Sequence, residues 1–555
     1  MRRRSVTAVL AVTAALALTA CNANATPTGS ASSGTARKGG TLTILTSSSS
    51  VNLDPAKSQN LAITTLGLIF RRLTTWDIKP GQEGKVVGDL AQDAGTPSDG
   101  GKTWTYKLKP NLKYADGTPI TAEDVKYGVE RSFAPELSGG LGYHKTLLVG
   151  GADYKGPYQG KTLDSIEVPD AQTIVFKLSK PFGDWPWIVS MPAFTPVPKA
   201  KDDVAKYGQN PVASGPYQVE SYQQGTALKL KRNTNWDAAT DPVRTGGPDN
   251  ITFQLGQEST VVAQRLIADS GDDRDAFGAS FVPPAQLAQI QANASAKQRL
   301  VTSDPGALAY LAINTTRPGL TDVKVRQAIN YAVDKKAFLV AAGGTLGGDY
   351  ASTLITPGIA GRAQYDLYPT PDPSGDVAKA KTLLADAGHA TGLKLSFAVE
   401  NDPQSLAKAQ AIQQGLARAG IEVTLKPLDS DSWFDFVTND KGDYDLTLTS
   451  WQPDYPSANA NIQPLFASSE IGGGGFNLSR YSNADVDAQI EQARAEIDAT
   501  AAQKQWQQID QRILTDAPIV PLIYTRNSFL HGSGVTDFFV AAFPAYPNYL
   551  QVSLR

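Results

Sequence analysis

The sequence predicts an α/β fold. Segments that alternate apolar and polar residues with period two are interleaved with segments whose apolar residues recur every three or four positions, and glycines stand where one period gives way to the other. "TWTYKLK" (103–109) places Trp104, Tyr106 and Leu108 on one strand face and Thr103, Thr105 and Lys107 on the other. In the following "YADGTPITAEDVKYGVERS", Asp116-Gly117 is a tight-turn signal. Thr121 and Asp124 form a capping-box pattern at the start of a helix that aligns Val125, Val129 and Ser132. "TDVKVRQAINYAVDKKAFLVAAGG" (321–344) has Val325, Ala328, Ile329, Ala332 and Val333 at helical spacing and ends in glycines. "DVAKAKTLLADAG" (376–388) is a further helix, with Ala380, Leu383, Leu384 and Ala387 inward and Gly388 suited to a left-handed stop. "SLAKAQAIQQGLARAGIEVTLKPL" changes period at Gly420, from helix to the alternating strand Ile421, Val423, Leu425, and "DYDLTLTSW" (443–451) alternates again. In open α/β sheets ligands bind beyond the carboxyl ends of strands, where "WQPDYP" (451–456) is expected to lie.

Composition and the N-terminus place the chain outside the cell membrane. Arg2 to Arg4 precede an uncharged apolar run from Val6 to Ala20, about the length of a secretory signal and short of the roughly 20 residues that span a bilayer. The sole cysteine of the 555 residues, Cys21, follows Leu18-Thr19-Ala20, a segment that resembles a bacterial lipobox. Lipidation of Cys21 is therefore expected, with 1–20 as signal peptide and the Asn-, Ala-, Thr-, Pro-, Gly- and Ser-rich segment 21–40 as a flexible tether to the membrane. Charged residues make up 19% and apolar residues 41%, a globular balance, and the remaining length suits three or four domain-sized units. A net charge of −3 gives no electrostatic reason to expect nucleic acid. Without disulfides, stability must come from a large core.

Catalytic signatures are missing. The three histidines, His144, His389 and His531, are scattered among unrelated segments, so neither a metal site nor a Ser-His-Asp set is readable, and no nucleophile elbow or P-loop occurs. No cofactor or metal is expected, and the chain reads as a non-enzyme. The four glycines 472–475 lack the strand-to-helix setting of a nucleotide site. Trp433, Trp451 and Tyr455 would each be core edge taken singly. Clustered near Asp454, they suggest a carboxylate that holds an ammonium group while rings cover the rest of a ligand.

Six blocks carry a specific resemblance: "GGTLTIL…LDP", "WTYKLKPNLKYADGTPITAEDVKYGVERS", "VASGPYQVESY…LKLKRNTNWD" (212–237), "LAINTTRPGLTDVKVRQAINYAVDKKAF", "AKAKTLLADAGH" and "DYDLTLTSWQPDYP". In this order they resemble family 5 extracellular solute-binding proteins, the oligopeptide and dipeptide receptors of ABC importers. The resemblance implies a two-lobed, periplasmic-binding-protein-like fold of the class II, cluster C type, with a hinge and an extra inserted subdomain. Lobe one would comprise 41–73, 195–303 and the return segment 521–555, with 74–194 inserted as the subdomain and 304–520 as lobe two. The crossings at about 300 and about 520 would be the hinge.

It further implies capture of a solute by lobe closure, a monomer, and delivery to an ABC permease and its ATPase. The leading ligand is a peptide bound extended, its side chains in roomy hydrated pockets that select weakly. By position in "W-x-x-D-Y", Asp454 would grip the peptide amine, with Trp451 and Tyr455 beside it. Trp433 would line the pocket, and Tyr524 of "PLIY" would approach the cleft. Where some relatives carry an acidic residue after "LDP", this chain has Lys57, Ser58, Gln59 and Asn60, so Gln59 and Asn60 are candidate ligand contacts. The arginine that can meet the peptide carboxylate is replaced by Thr447, Leu448 and Thr449. A glycoside, an opine or a metal chelate fits the same fold. A surface sensor and a tethered hydrolase are the readings from other classes.

Overall fold

The computed structural model describes residues 38–555. The expected signal peptide 1–20, Cys21 and nearly all of the 21–40 tether lie outside them. Three sheets position the site. The first has the strand order Ala276–Gly278, Thr41–Leu45, Asn250–Gln254, Ala227–Arg232, Tyr217–Gln223. Thr41–Leu45 pairs in parallel with both neighbours and buries Leu42, Ile44 and Leu45. The second, within the expected insertion, is antiparallel in the order Thr96–Ser98, Thr103–Lys107, Thr173–Lys177, Ile166–Asp170. Trp104 and Tyr106 point into the core as the alternation requires, with the Tyr106 ring edge-on to Phe176 at 6.0 Å. The adjoining helix Ala122–Arg131 begins with the full capping box of Thr121 and Asp124.

The third sheet runs Gly348–Tyr350, Ile519–Thr525, Leu308–Ile313, Leu446–Trp451, Leu393–Glu400, Ile421–Leu428, parallel only among the last three strands. Its helices include Val377–Asp386 and Pro403–Arg418, and Gly388 and Gly420 adopt φ of +85° and +88° where their helices stop. The periodic run 321–344 is two helices instead of one, Val323–Ala332 and Lys335–Ala341. The break comes at Val333, which takes an extended conformation, because the Asp334 carboxylate accepts from the Ala337 N–H and starts a new helix.

The two large sheets are linked by a narrow ribbon in which Leu300–Thr302 pairs antiparallel with Ser528–Leu530. Strand Ile519–Thr525 stays in the third sheet five residues past the boundary expected at 520, because Leu308–Ile313 supplies it with ladder partners as far as Tyr524. The segments that join the third sheet to this ribbon are therefore 303–307 and 526–527. They are stitched together: Ser303 N–H donates to Asn527 O (2.8 Å), Asn527 N–H to Ser303 Oγ (3.0 Å), and Arg526 Nη1 to Ser303 O (2.9 Å).

The second sheet is fastened to the first by buried charge. Asp89 accepts from Arg71 Nε (2.7 Å), from the Arg72 backbone N–H (3.1 Å) and from both terminal nitrogens of Arg244 (3.0 Å each). Arg244 also pairs with Asp241 at 3.1 Å. On its far side the inserted unit meets the helices that follow the third sheet. Gly183 N–H donates to Arg494 O (2.8 Å), Ser457 Oγ to Asp184 (2.6 Å), and Lys180 pairs with Glu491 (2.6 Å). Among the described residues no helix is long and apolar enough to cross a membrane.

Candidate functional site

Strand Leu446–Trp451 carries the "WQPDYP" loop out of the carboxyl end of the third sheet, as the open-sheet rule requires. Asp454 in this loop is half-buried and accepts a hydrogen bond from the hydroxyl of Tyr143, on the short helix Tyr143–Leu147 of the inserted unit. Burial raises the Asp454 carboxyl above the ordinary carboxylate range, and the Tyr143 bond offsets part of that shift. Burial, and next the Asp454 carboxylate, push the Tyr143 phenol upward, so it remains a donor. The carboxylate has no ion pair to a cation among the described residues. It is a desolvated anion with one neutral partner, an arrangement that favours an incoming ammonium.

The aromatic candidates have distinct roles, and Tyr455 is the one packed against the Asp454 partner Tyr143. Tyr455 is fully buried, meets Tyr143 edge-on at 5.9 Å, and accepts from Asn459 Nδ2 at 2.9 Å, so it backs Tyr143 from behind. Trp451 is half-buried and donates Nε1–H to Ala460 O (2.8 Å). Trp433, on helix Ser430–Thr438, donates Nε1–H to Thr447 Oγ1 (3.0 Å), and Thr447 in turn donates to Ala398 O (3.0 Å). These bonds fix the two indoles, Trp433 buried and Trp451 with its ring 5.1 Å from that of Phe476.

Trp433 also lines a groove of about 620 Å³ between the two large sheets. Phe281, Pro283 and Leu287 form one wall, while Ala309, Leu448, Thr449 and Ile523 belong to the other. Three charged residues reach it. Arg526 is held by Asp349 (2.8 Å), and Glu400 accepts from Ser430 Oγ (2.6 Å). Lys408, half-buried on helix Pro403–Arg418, has neither a hydrogen bond nor an ion pair among the described residues. Burial lowers its pKa against the pull of Asp402 and Glu400.

Of the site candidates Trp433 alone lines this groove among the described residues; Asp454, Trp451, Tyr455, Tyr524, Gln59 and Asn60 do not. Tyr524 is buried on the opposite side of its strand from Ile523 and Thr525, which do line the groove. Its hydroxyl accepts from the Thr353 backbone N–H (2.9 Å) and shares a bond with Thr353 Oγ1 (2.6 Å), while Arg362 covers its ring at 5.0 Å. Gln59 is exposed and donates to Gly139 O (3.0 Å), and Asn60 accepts from Thr64 Oγ1 (3.2 Å). Asn60 serves its own loop, and Gln59 ties that loop to the segment around Gly139. Asp54 of "LDP" pairs with buried Arg131 at 2.6 Å.

Tyr143 and Lys408 were not readable as site residues. Tyr143 sits in a five-residue helix far from Asp454 in sequence and bears no periodic signal. Lys408 directly precedes Ala409, the first inward residue of its helix, and a lysine bordering an apolar stripe was the available cue. Of the histidines, His144 is buried beside Ser132 Oγ (2.8 Å) and lowered to about 3, and His531 is lowered to about 4, in both cases mainly by burial.

Comparison with known proteins gives a consistent set of likenesses. The family model of bacterial extracellular solute-binding proteins, family 5 Middle, matches residues 85–473. A glutathione-binding protein of Salmonella paratyphi A is 27% identical over 465 residues, covering 82% of this chain and 84% of that protein. Among solved structures, clavulanic acid biosynthesis oligopeptide binding protein 2 superposes with a TM-score of 0.86 at 32% identity, covering 95% of this chain and 97% of the other. A peptide-complexed periplasmic binding protein of Helicobacter pylori shares the fold, with a TM-score of 0.66 at 19% identity over 93% of this chain and 98% of its own.

Proposed function

The chain belongs to the bacterial extracellular solute-binding proteins of family 5, and from that membership we propose that it captures a short peptide by closure of its two lobes and delivers it to an ABC permease. The observation that carries this reading is Asp454, a desolvated carboxylate whose only hydrogen-bond partner among the described residues is the neutral hydroxyl of Tyr143. A peptide ammonium would displace that hydroxyl and supply the missing charge. The relatives named for glutathione and for oligopeptides support a short peptide as ligand.

Lys408 is the reading's anchor for the other end. Strand Leu393–Glu400 runs parallel to Leu446–Trp451 with Ala398 opposite Thr447, so two residues farther on Glu400 comes level with Thr449. From Thr449 to Asp454 the chain can extend at most about 18 Å, an upper bound that suits a short peptide of about five residues or fewer. Lys408→Met is expected to weaken free-acid tetra-alanine about tenfold, roughly 1.4 kcal/mol, and to leave tetra-alanine amide unaffected. Equal affinities of variant and parent for the free acid would remove this role. The ribbon at 300–302 and 528–530 and the crossings beside it would serve as the hinge, and diacylglycerol on Cys21 with the 21–40 tether would hold a monomeric receptor at the membrane.

Native mass spectrometry of protein purified from its own host tests the reading as a whole. Copurifying peptides of about five residues or fewer support it. A glycoside, opine or chelate in their place overturns the peptide assignment while leaving solute capture intact.

A further inference from the structure

Beside the groove, helix Ser430–Thr438 and strand Leu446–Trp451 enclose a recess of about 160 Å³, walled by Tyr310, Trp433, Val437, Trp451, Phe476 and Leu478. Trp433, Thr449 and Ser450 line both spaces, so the recess opens off the groove. We infer that it is a selective pocket for one ring-sized apolar side chain of the ligand, an inference that rests on the peptide reading and gives it a specificity.

Among the described residues the Tyr310 hydroxyl of the wall has no hydrogen bond, while the other polar side-chain atoms away from the mouth are engaged. Trp433 Nε1–H is engaged by Thr447, Trp451 Nε1–H by Ala460 O, and the Thr438 hydroxyl donates to Phe434 O at 2.8 Å. The hydroxyls of Thr449 and Ser450 belong to the mouth shared with the groove. A charged occupant would surrender water and meet no counter-ion among the lining residues, whereas an apolar one gains from burial. The size agrees, since an apolar cavity of about 150 Å³ accommodates a benzene ring.

The rim is unsatisfied in the complementary sense. Phe434 and Phe476 are 40% and 39% exposed, and their rings stand 6.0 Å apart. Phe476 is presented by the four-glycine run, where Gly472, Gly473 and Gly474 all take positive φ. That run is moored to the helix by Gly474 N–H to Thr438 O (3.1 Å) and to Asp440 by Gly473 N–H (2.9 Å). The glycines thus have a structural use: side chains would strain the turn that swings Phe476 over the recess. Trp451 is three residues from Asp454 and Thr449 lies level with Glu400, which sets the pocket between the two ends of the ligand.

Calorimetry with Gly-Gly-Gly, Phe-Gly-Gly, Gly-Phe-Gly, Gly-Gly-Phe and the matching lysine tripeptides tests this. At least one phenylalanine peptide should bind about tenfold or more tighter than its lysine counterpart. In the folded F434A/F476A double variant, with its melting temperature checked, that ratio should fall to near one. Tripeptides bound without preference overturn the pocket and leave the peptide reading standing. If no tripeptide binds, the peptide reading falls, and saturation-transfer NMR with benzyl alcohol decides the pocket alone. Transfer that is lost in the double variant supports it, and transfer that is absent or unchanged overturns it.

Discussion

Asp454→Ala is expected to weaken binding of tetra-alanine by about thirtyfold or more, a loss of roughly 2 kcal/mol or greater, because the ligand's ammonium would remain buried without its counter-ion. Tyr143→Phe removes only a neutral donor and keeps the ring against Tyr455, so it should change affinity by less than tenfold. The pH dependence has a definite sign. Only ionised Asp454 attracts an ammonium, and burial holds its pKa above the ordinary carboxylate range. Affinity should therefore be full at neutral pH and decline on acidification before an exposed aspartate, near about 4, would titrate. In that declining limb binding should release a proton, visible as a buffer-dependent calorimetric enthalpy. An Asp454→Ala protein that binds tetra-alanine as the parent does would remove the amine anchor.

Asp89→Ala should cost about 3–5 kcal/mol of stability, the largest effect expected of any single substitution considered. Asp89 is fully buried, and its removal leaves the guanidinium groups of Arg71 and Arg244 facing each other around a void. Burial works against the Arg244 charge, and Asp241 together with Asp89 outweighs it; only Asp241 would remain. The consequence reaches the site, because this cluster ties the inserted unit, and with it Tyr143, to the first sheet. Urea denaturation reads the result. Asp89→Asn, which keeps an acceptor, should lose less, and a variant as stable as the parent would show that the cluster is dispensable.

Much of this architecture was legible from local pattern. The Thr121 and Asp124 box, the stops at Gly388 and Gly420, and the position of "WQPDYP" beyond a strand end all depend on residues close in sequence, where period and capping chemistry act directly. Tyr524 shows where that reach ends. Strand Ile519–Thr525 is buried on both faces, so its sequence has no alternation to reveal which side Tyr524 takes. The ladder beside it also shifts register at Ala309 and Tyr310. That this strand runs past the boundary expected at 520 was hidden for a related reason, since only a strand's partners determine how far it stays in a sheet. The helix break at Val333 was masked by an apolar period that continues through it. The meeting of Tyr143 with Asp454 joins segments more than 300 residues apart, a relation that no local pattern encodes.

The central claim is that two lobes close on a solute that neither holds alone. Small-angle X-ray scattering tests it most directly, on one preparation stripped of ligand by unfolding and refolding and then saturated with the solute that copurifies. Closure predicts a smaller radius of gyration and a shorter maximum dimension at saturation. Superimposable scattering curves with one solute bound per chain would contradict it.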